Sequence, residues 1–380
     1  MAARGARRTA ARWLVMGTLA LALLGVRATP GGASATIDVH FSVKVIRDPA
    51  TGNRPPVDDT LQTNLLTDNM IASMFYTANE VLLKQYWRGY RFVLDEIVDV
   101  GWPCVSCPGT NPSMWYGATY DSPTMKDLEN TAMANAVSFI WRPNQVNIYI
   151  NMGKGDGAAA SFPPPDLRSN HVVVAGARIF DPQYAATFPG AILVHEMGHY
   201  FSLPHPNGSI DTCCVASLCI TDGDQIDDTL PDGPCFTLNQ LSLFRYGQAF
   251  VLVNAAKQDS LLNVFWNNMA YMHIHDGQVF GQTLLDRMTE LQLDRWADSA
   301  RTIRRPVCSG RTFFVATDGN LFGSGTGVNP YLNVSTGIAA CDPAGGDVVM
   351  IRPGNYHQNL TITKKVTLRA TREGVVRIAF

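Results

Sequence analysis

Residues 194–205 read Val194-His195-Glu196-Met197-Gly198-His199-Tyr200-Phe201-Ser202-Leu203-Pro204-His205. Ahead of them, Phe188-Pro189-Gly190 opens an apolar run from Ala191 to about Phe201 that predicts a helix. Proline suits a first helical turn, because its missing N–H would have no partner there. On a helix, two histidines four residues apart lie about 40° apart around the axis and one turn along it. Both imidazoles therefore reach one metal ion. Glu196 sits about 100° around and points beside that ion, where it can take a proton from a bound water. A helix that stops near Ser202 turns back past Pro204 and delivers His205 as a third nitrogen. Three protein ligands leave one position for water, which marks a catalytic zinc site; structural sites fill all four positions with protein ligands. Zinc lowers the pKa of its water toward ~7 and polarises a carbonyl. Glu196 then serves as general base and later as general acid.

The start of the chain reads as a targeting segment. Arg4, Arg7, Arg8 and Arg12 precede an apolar run from Trp13 to Val26, and Ala33-Ser34-Ala35 is a small-x-small cleavage site. A signal peptide over 1–35 implies a secreted or extracytoplasmic protein. Its removal takes away five arginines and no acid, moving the formal charge from −2 to −7. A mildly acidic protein is a poor partner for nucleic acid or an anionic membrane. No second stretch is long and apolar enough to span a bilayer. All eight cysteines lie beyond the leader, and an even number in an exported chain reads as disulfides. Cys104 and Cys107 suit a local pair, and Cys308 and Cys341 suit a clip on the C-terminal tail.

Between the leader and the histidine segment, a helical period over 59–87 predicts a helix, with Leu61, Leu65, Ile71, Phe75 and Leu82 on its apolar side. Tyr90 to Val100 and Val146 to Ile150 predict strands, and a helix is expected from about Pro123 to Val137. Short strands are expected at Val172–Val174 and Arg178–Phe180. Beyond the histidines come an acidic, cysteine-rich loop over 204–235, a helix within 236–257 and another over about 282–300. From Arg305 the pattern becomes strand and turn, placing a domain boundary near Arg304–Pro306.

The spacing H-E-x-x-H-x-x-x-x-x-H resembles that of the metzincin metalloproteases, and Asn267-Asn268-Met269-Ala270-Tyr271 stands where that group carries its Met-turn. More closely, the chain resembles the pappalysin family, including its ulilysin-like bacterial members. The residues that carry this are Asn147-Ile148-Tyr149-Ile150 with Ala160-Ser161-Phe162-Pro163, the segment Val194–Tyr200, the stretch Gly223-Asp224-Gln225-Ile226-Asp227-Asp228-Thr229, and Gly277-Gln278 with Arg287-Met288. The resemblance implies an α+β fold. A metzincin-type zinc protease domain would cover 36–304, with a twisted mixed sheet, an active-site helix and a lower subdomain. A small all-β tail over 305–380 would follow.

It also implies that His195, His199 and His205 bind zinc, that Glu196 is the catalytic base, and that Met269 underlies the metal. Tyr271 would reach the metal or the oxyanion. An edge strand near Ala160 and Phe162 would bind a polypeptide substrate as an added antiparallel strand. Asp224 and Asp227 are candidates for a calcium ion, because crowded carboxylates repel unless solvated or bridged by a hard cation. The chain departs from the family at Ser202, where the family has a glycine that permits a left-handed turn. It departs again at Ala270, in place of an acid, and in an apparent insertion over 236–260.

The tail runs Gly346-Asp347-Val348-Val349-Met350-Ile351-Arg352-Pro353-Gly354-Asn355-Tyr356, then Leu360-Thr361-Ile362 and Val366-Thr367-Leu368. It resembles the opening coils of a right-handed parallel β-helix, and no cluster of acids there suggests catalysis. Two readings of the whole chain follow. One is a secreted zinc endopeptidase. The other is an inactive binding or adhesive protein that uses the β-rich tail, with the protease domain as scaffold. A retired enzyme has no need of Glu196.

Overall fold

The computed structural model describes residues 37–58, 63–84, 89–103, 109–118, 127–153, 158–160, 172–182, 188–206, 224–229, 237–270, 287–371 and 375–379. The segment expected to be a signal peptide, 1–35, and six of the eight cysteines lie outside them. The fold is built on a mixed sheet of five strands: β1 (Ile37–Ile46), β2 (Tyr90–Val100), β3 (Val146–Asn151), β4 (Ala158–Ala160) and β5 (Val172–Gly176). Their order is β2-β1-β3-β5-β4, and only β4, at one edge, runs antiparallel. The interior strand β1, between β2 and β3, is not among the elements expected above. Its alternation is plain all the same: Ile37, Val39, Phe41, Val43 and Val45 point into the core.

Two helices cover that face, α1 (Asp68–Lys84) and α4 (Phe188–Tyr200). They approach closely at Gly190, where a Cβ would stand 2.1 Å from Thr77 Oγ1. On the opposite face, the short helices α2 (Leu128–Ala134) and α3 (Ala136–Phe139) and a 3-10 turn at Pro112–Trp115 bury Ile46, Val100 and Tyr149. The outward residues of β1 form a polar row. Ser42 Oγ donates to Glu96, which also pairs with Arg142, and Lys44 Nζ donates to Asn147 Oδ1. Burial pulls the Lys44 amine down to about 7, with Glu96 opposing the shift. The segment expected to be a strand at 178–180 is a 3-10 turn, Ala177–Phe180, that leads off β5.

Below the sheet lie α5 (Leu238–Tyr246), α6 (Ala255–Phe265) and α7 (Glu290–Arg301). The first two form a helical pair with its own apolar cluster around Leu241, Leu261 and Phe265. Among the described residues no helix is long and apolar enough to cross a membrane.

The C-terminal stretch stacks its strands in parallel. One sheet has the order β6 (Thr312–Asn320), β7 (Val348–Ile351), β9 (Thr367–Ala370), and a second pairs β8 (Gly354–His357) with β10 (Val376–Ala379). A short helix, α8 (Val334–Ala340), covers β6 and β7. Residues 360–362, expected as a strand, are coil. The tail is continuous with the main core: Val307, Cys308, Phe314, Val348 and Met350 belong to the same apolar cluster as β1 and α4. Polar ties reinforce this. Ser309 exchanges hydrogen bonds with the Asp38 backbone, and Arg352 pairs with Asp294 of α7 at 2.9 Å. Cys308 and Cys341 are buried free thiols in different apolar clusters, so the clip expected between them does not form.

Two outcomes are expected. Phe314 is fully buried between tail and core, so Phe314→Ala should cost about 3–5 kcal/mol. Calorimetry should show this as one transition moving to lower temperature, rather than a separate early melt of the tail. Gly198, on α4, faces Met269 so closely that a Cβ would lie 2.2 Å from its Sδ. Glycine to alanine within an exposed helix normally stabilises by ~1 kcal/mol; here overpacking should reverse the sign, with Gly198→Ala less stable by about 1–3 kcal/mol in denaturant titration.

Candidate metal centre

Helix α4 is buried along nearly its whole length and carries His195, Glu196 and His199. It ends in a left-handed turn. Phe201 N and Ser202 N bond back to Met197 and His199, Leu203 N bonds to Gly198 O at 2.9 Å, and Ser202 has φ of +74°. The left-handed residue expected at this position is therefore present without glycine, at a strain on the order of 1 kcal/mol. Ser202 Oγ reaches Ser299 Oγ of α7 at 3.1 Å. The reversal carries the chain past Pro204 and brings His205 back beneath the helix.

The three imidazoles meet at their Nε2 atoms. His205 Nε2 lies 2.8 Å from His199 Nε2 and 3.1 Å from His195 Nε2. The other nitrogens of two rings are used elsewhere. His195 Nδ1–H donates to the carbonyl of Asn268 at 2.6 Å, and His199 Nδ1–H donates to the carbonyl of Leu203 at 2.8 Å. Those bonds fix the tautomer, leaving lone pairs on Nε2. Burial holds all three imidazoles neutral, pulling His195 down to about 4 and His199 to about 3, and pulling His205 down as well, helped by the neighbouring histidines. Neutral imidazoles whose lone pairs converge repel one another unless a cation lies among them. Three such nitrogens form a donor set suited to zinc. Among the described residues this is the one group of histidine, cysteine or acidic side chains placed to hold a metal ion.

Beneath the histidines lies the turn at Asn267–Ala270. Met269 is fully buried, with its sulfur against Gly198. Asn267 Oδ1 accepts from Met269 N at 2.9 Å, closing the turn. Asn268 is tied through its backbone N–H to Arg287 O, and its own carbonyl receives His195. Met269, expected to underlie the metal, packs against Gly198 of the histidine helix. Tyr271 and Phe162 lie outside the described residues. Ala160 ends the antiparallel edge strand β4, which packs beside α4.

Of the two calcium candidates, Asp224 is buried and Asp227 exposed. Asp224 spends its carboxylate inside the protein, accepting from Ile226 N and from Gln292 Nε2. Asp228 accepts from Leu291 N in the first turn of α7 at 2.9 Å. The side chains of 224–229 therefore clamp a helix start. Single-sequence reading misses the carbonyls of Asn268 and Leu203, since any residue type supplies one. It also misses Gln292, although Thr289-x-x-Gln292 carries a capping-box signature.

No family model and no curated protein matches the chain. Among solved structures, one described as Tannerella forsythia mature mirolysin in complex with a cleaved peptide is 18% identical, with a TM-score of 0.45, covering 72% of this chain and 96% of that one. Another, mirolysin in complex with compound 9, is 17% identical, with a TM-score of 0.44 and the same coverage. At these values the likeness decides nothing about chemistry, which rests on the site itself.

Proposed function

We propose that the protein is a secreted zinc-dependent endopeptidase of the pappalysin-like metzincin kind, acting on polypeptide substrates outside the cytoplasm. The observation that carries this is the convergence of three neutral imidazole nitrogens, with a buried carboxylate one residue along the same helix. His195, His199 and His205 would hold zinc. When bound, such an ion supplies Lewis acidity and an acidified water.

The remaining work falls to the chain's own groups. Glu196 lies on the turn between His195 and His199, in a site largely closed to solvent. A carboxylate there takes a proton from the attacking water and returns it to the leaving amine. Tyr271, two residues beyond the turn methionine, is assigned to the developing oxyanion. Strand β4 ends the sheet order with one edge unpaired among the described strands. An extended peptide can add there as an antiparallel strand, so recognition reads backbone more than side chain. The leader motif at 1–35 supports export.

The test is casein hydrolysis by the secreted protein. Chelation should abolish it and added zinc should restore it, while Glu196→Ala should cut the rate by about 10²–10⁴-fold with zinc content unchanged. Stoichiometric zinc without hydrolysis would instead support the inactive scaffold reading.

A further inference from the structure

The buried amide of Gln292 has more partners than its place in the chain requires. Gln292 is the third residue of α7 and completes a capping box: its Oε1 accepts from Thr289 N at 3.0 Å, while Gln292 N donates to Thr289 Oγ1 at 3.2 Å. A capping residue normally stands at the surface. This one is fully buried, with both ends of its amide engaged. Nε2 donates to Asp224 Oδ2 at 2.9 Å, and Oε1 also accepts from Asn267 Nδ2 at 2.8 Å. Asn267 is fully buried too, and its Oδ1 holds Met269 N. The next carbonyl along, that of Asn268, receives the Nδ1 proton of His195. A continuous line of buried hydrogen bonds therefore runs from Asp224 through Gln292 and Asn267 to the turn that orients His195.

We propose that Gln292 is a positioning residue for the metal centre: it fixes the Asn267–Met269 turn, and through it the Asn268 carbonyl that sets the tautomer and ring angle of His195. The inference rests on the zinc reading above. It also gives the acidic stretch a role. Asp224 anchors Gln292, Asp228 accepts from Leu291 N, and Thr229 Oγ1 meets Thr289 Oγ1 at 3.1 Å. Three side chains of 224–229 thus grip the first turn of α7. Outer partners of a ligating histidine matter because they hold its lone pair on the metal axis; losing one typically costs 10–100-fold in metal affinity.

A plain helix cap makes the opposite forecast, and Gln292→Glu separates the two. Glutamate keeps the acceptor facing Thr289 N and suits a helix N-terminus. It removes the donor facing Asp224 and sets two carboxylates against each other. If Gln292 acts only at the helix start, the buried carboxylate pair lowers thermal stability but zinc affinity stays at the wild-type level. If it positions His195, zinc affinity measured by competition with a chromophoric chelator falls about 10–100-fold.

The exchange Asp224→Asn with Gln292→Glu reverses the direction of one hydrogen bond and restores the rest. Asparagine Nδ2 would donate to the new carboxylate, while its Oδ1 still accepts from Ile226 N. The double variant should recover zinc affinity to within about threefold of wild type. A double variant as weak as the single one would overturn the proposal, as would an unchanged single variant. Should Gln292→Glu fail to fold, the recovery of folding and zinc affinity in the exchange decides the matter. Failure of the wild type to bind zinc would sink the zinc reading itself; tight wild-type binding with no response to Gln292→Glu would sink only the positioning role.

Discussion

Three imidazole lone pairs directed at one point form an arrangement that no protein interior adopts without reinforcement. Each ring must be neutral, each must show the same nitrogen, and mutual repulsion must be borne until a cation arrives. Burial meets the first condition. The second is met for two rings by backbone carbonyls at Asn268 and Leu203. Those carbonyls belong to separate turns, and each turn has its own anchorage. The Leu203 turn is held by the reversal at Ser202 and its contact with Ser299. The Asn268 turn is held by Arg287, Asn267 and Gln292. Much of the lower subdomain can be understood as support for two hydrogen bonds.

Space is the second constraint. The helix carrying the histidines lies between α1 and the Met269 turn, and glycine stands at both contacts, Gly190 against Thr77 and Gly198 against Met269. A helix of thirteen residues with two interior glycines gives up about 1 kcal/mol of propensity at each. Packing against the sheet and the turn offsets that loss. Helix α4 is held together by its surroundings more than by its own sequence, which is why nearly all of it is buried.

The metal site was legible in the sequence because its logic is local. His195, Glu196 and His199 lie within one helical turn and a half, and Pro204 reports the reversal that returns His205. The flanking strands at 90–100 and 146–151 were legible from their composition. The interior strand β1 was not assigned, although its alternation from Ile37 to Val45 is regular. At 178–180 the strand formers Ile179 and Phe180 lie in a 3-10 turn, where the chain leaves the sheet. The acidic stretch at 222–228 suggested a cation by composition alone. What composition cannot show is direction. Asp224 points inward to an amide and a backbone N–H, and Asp228 points to a helix start.

The join between the two halves of the chain makes the same point about direction. Arg304 stands at the expected domain boundary, where a charged residue would ordinarily mark a solvated linker. It is fully buried instead, its Nε donating to Tyr200 O at 3.0 Å and its guanidinium 3.9 Å from the Tyr200 ring. Tyr200 is the last residue of α4, so the cation meets the negative end of that helix dipole and satisfies a carbonyl with no partner inside the helix. Burying a guanidinium costs several kcal/mol unless its donors and charge are matched. Here the match is the C-terminus of the histidine helix. The residues after Arg304 extend the core that holds α4, with Val307, Cys308 and Phe314 in it. The residue at the expected domain boundary is therefore a fastening between the start of the β-rich tail and the helix that carries His195 and His199.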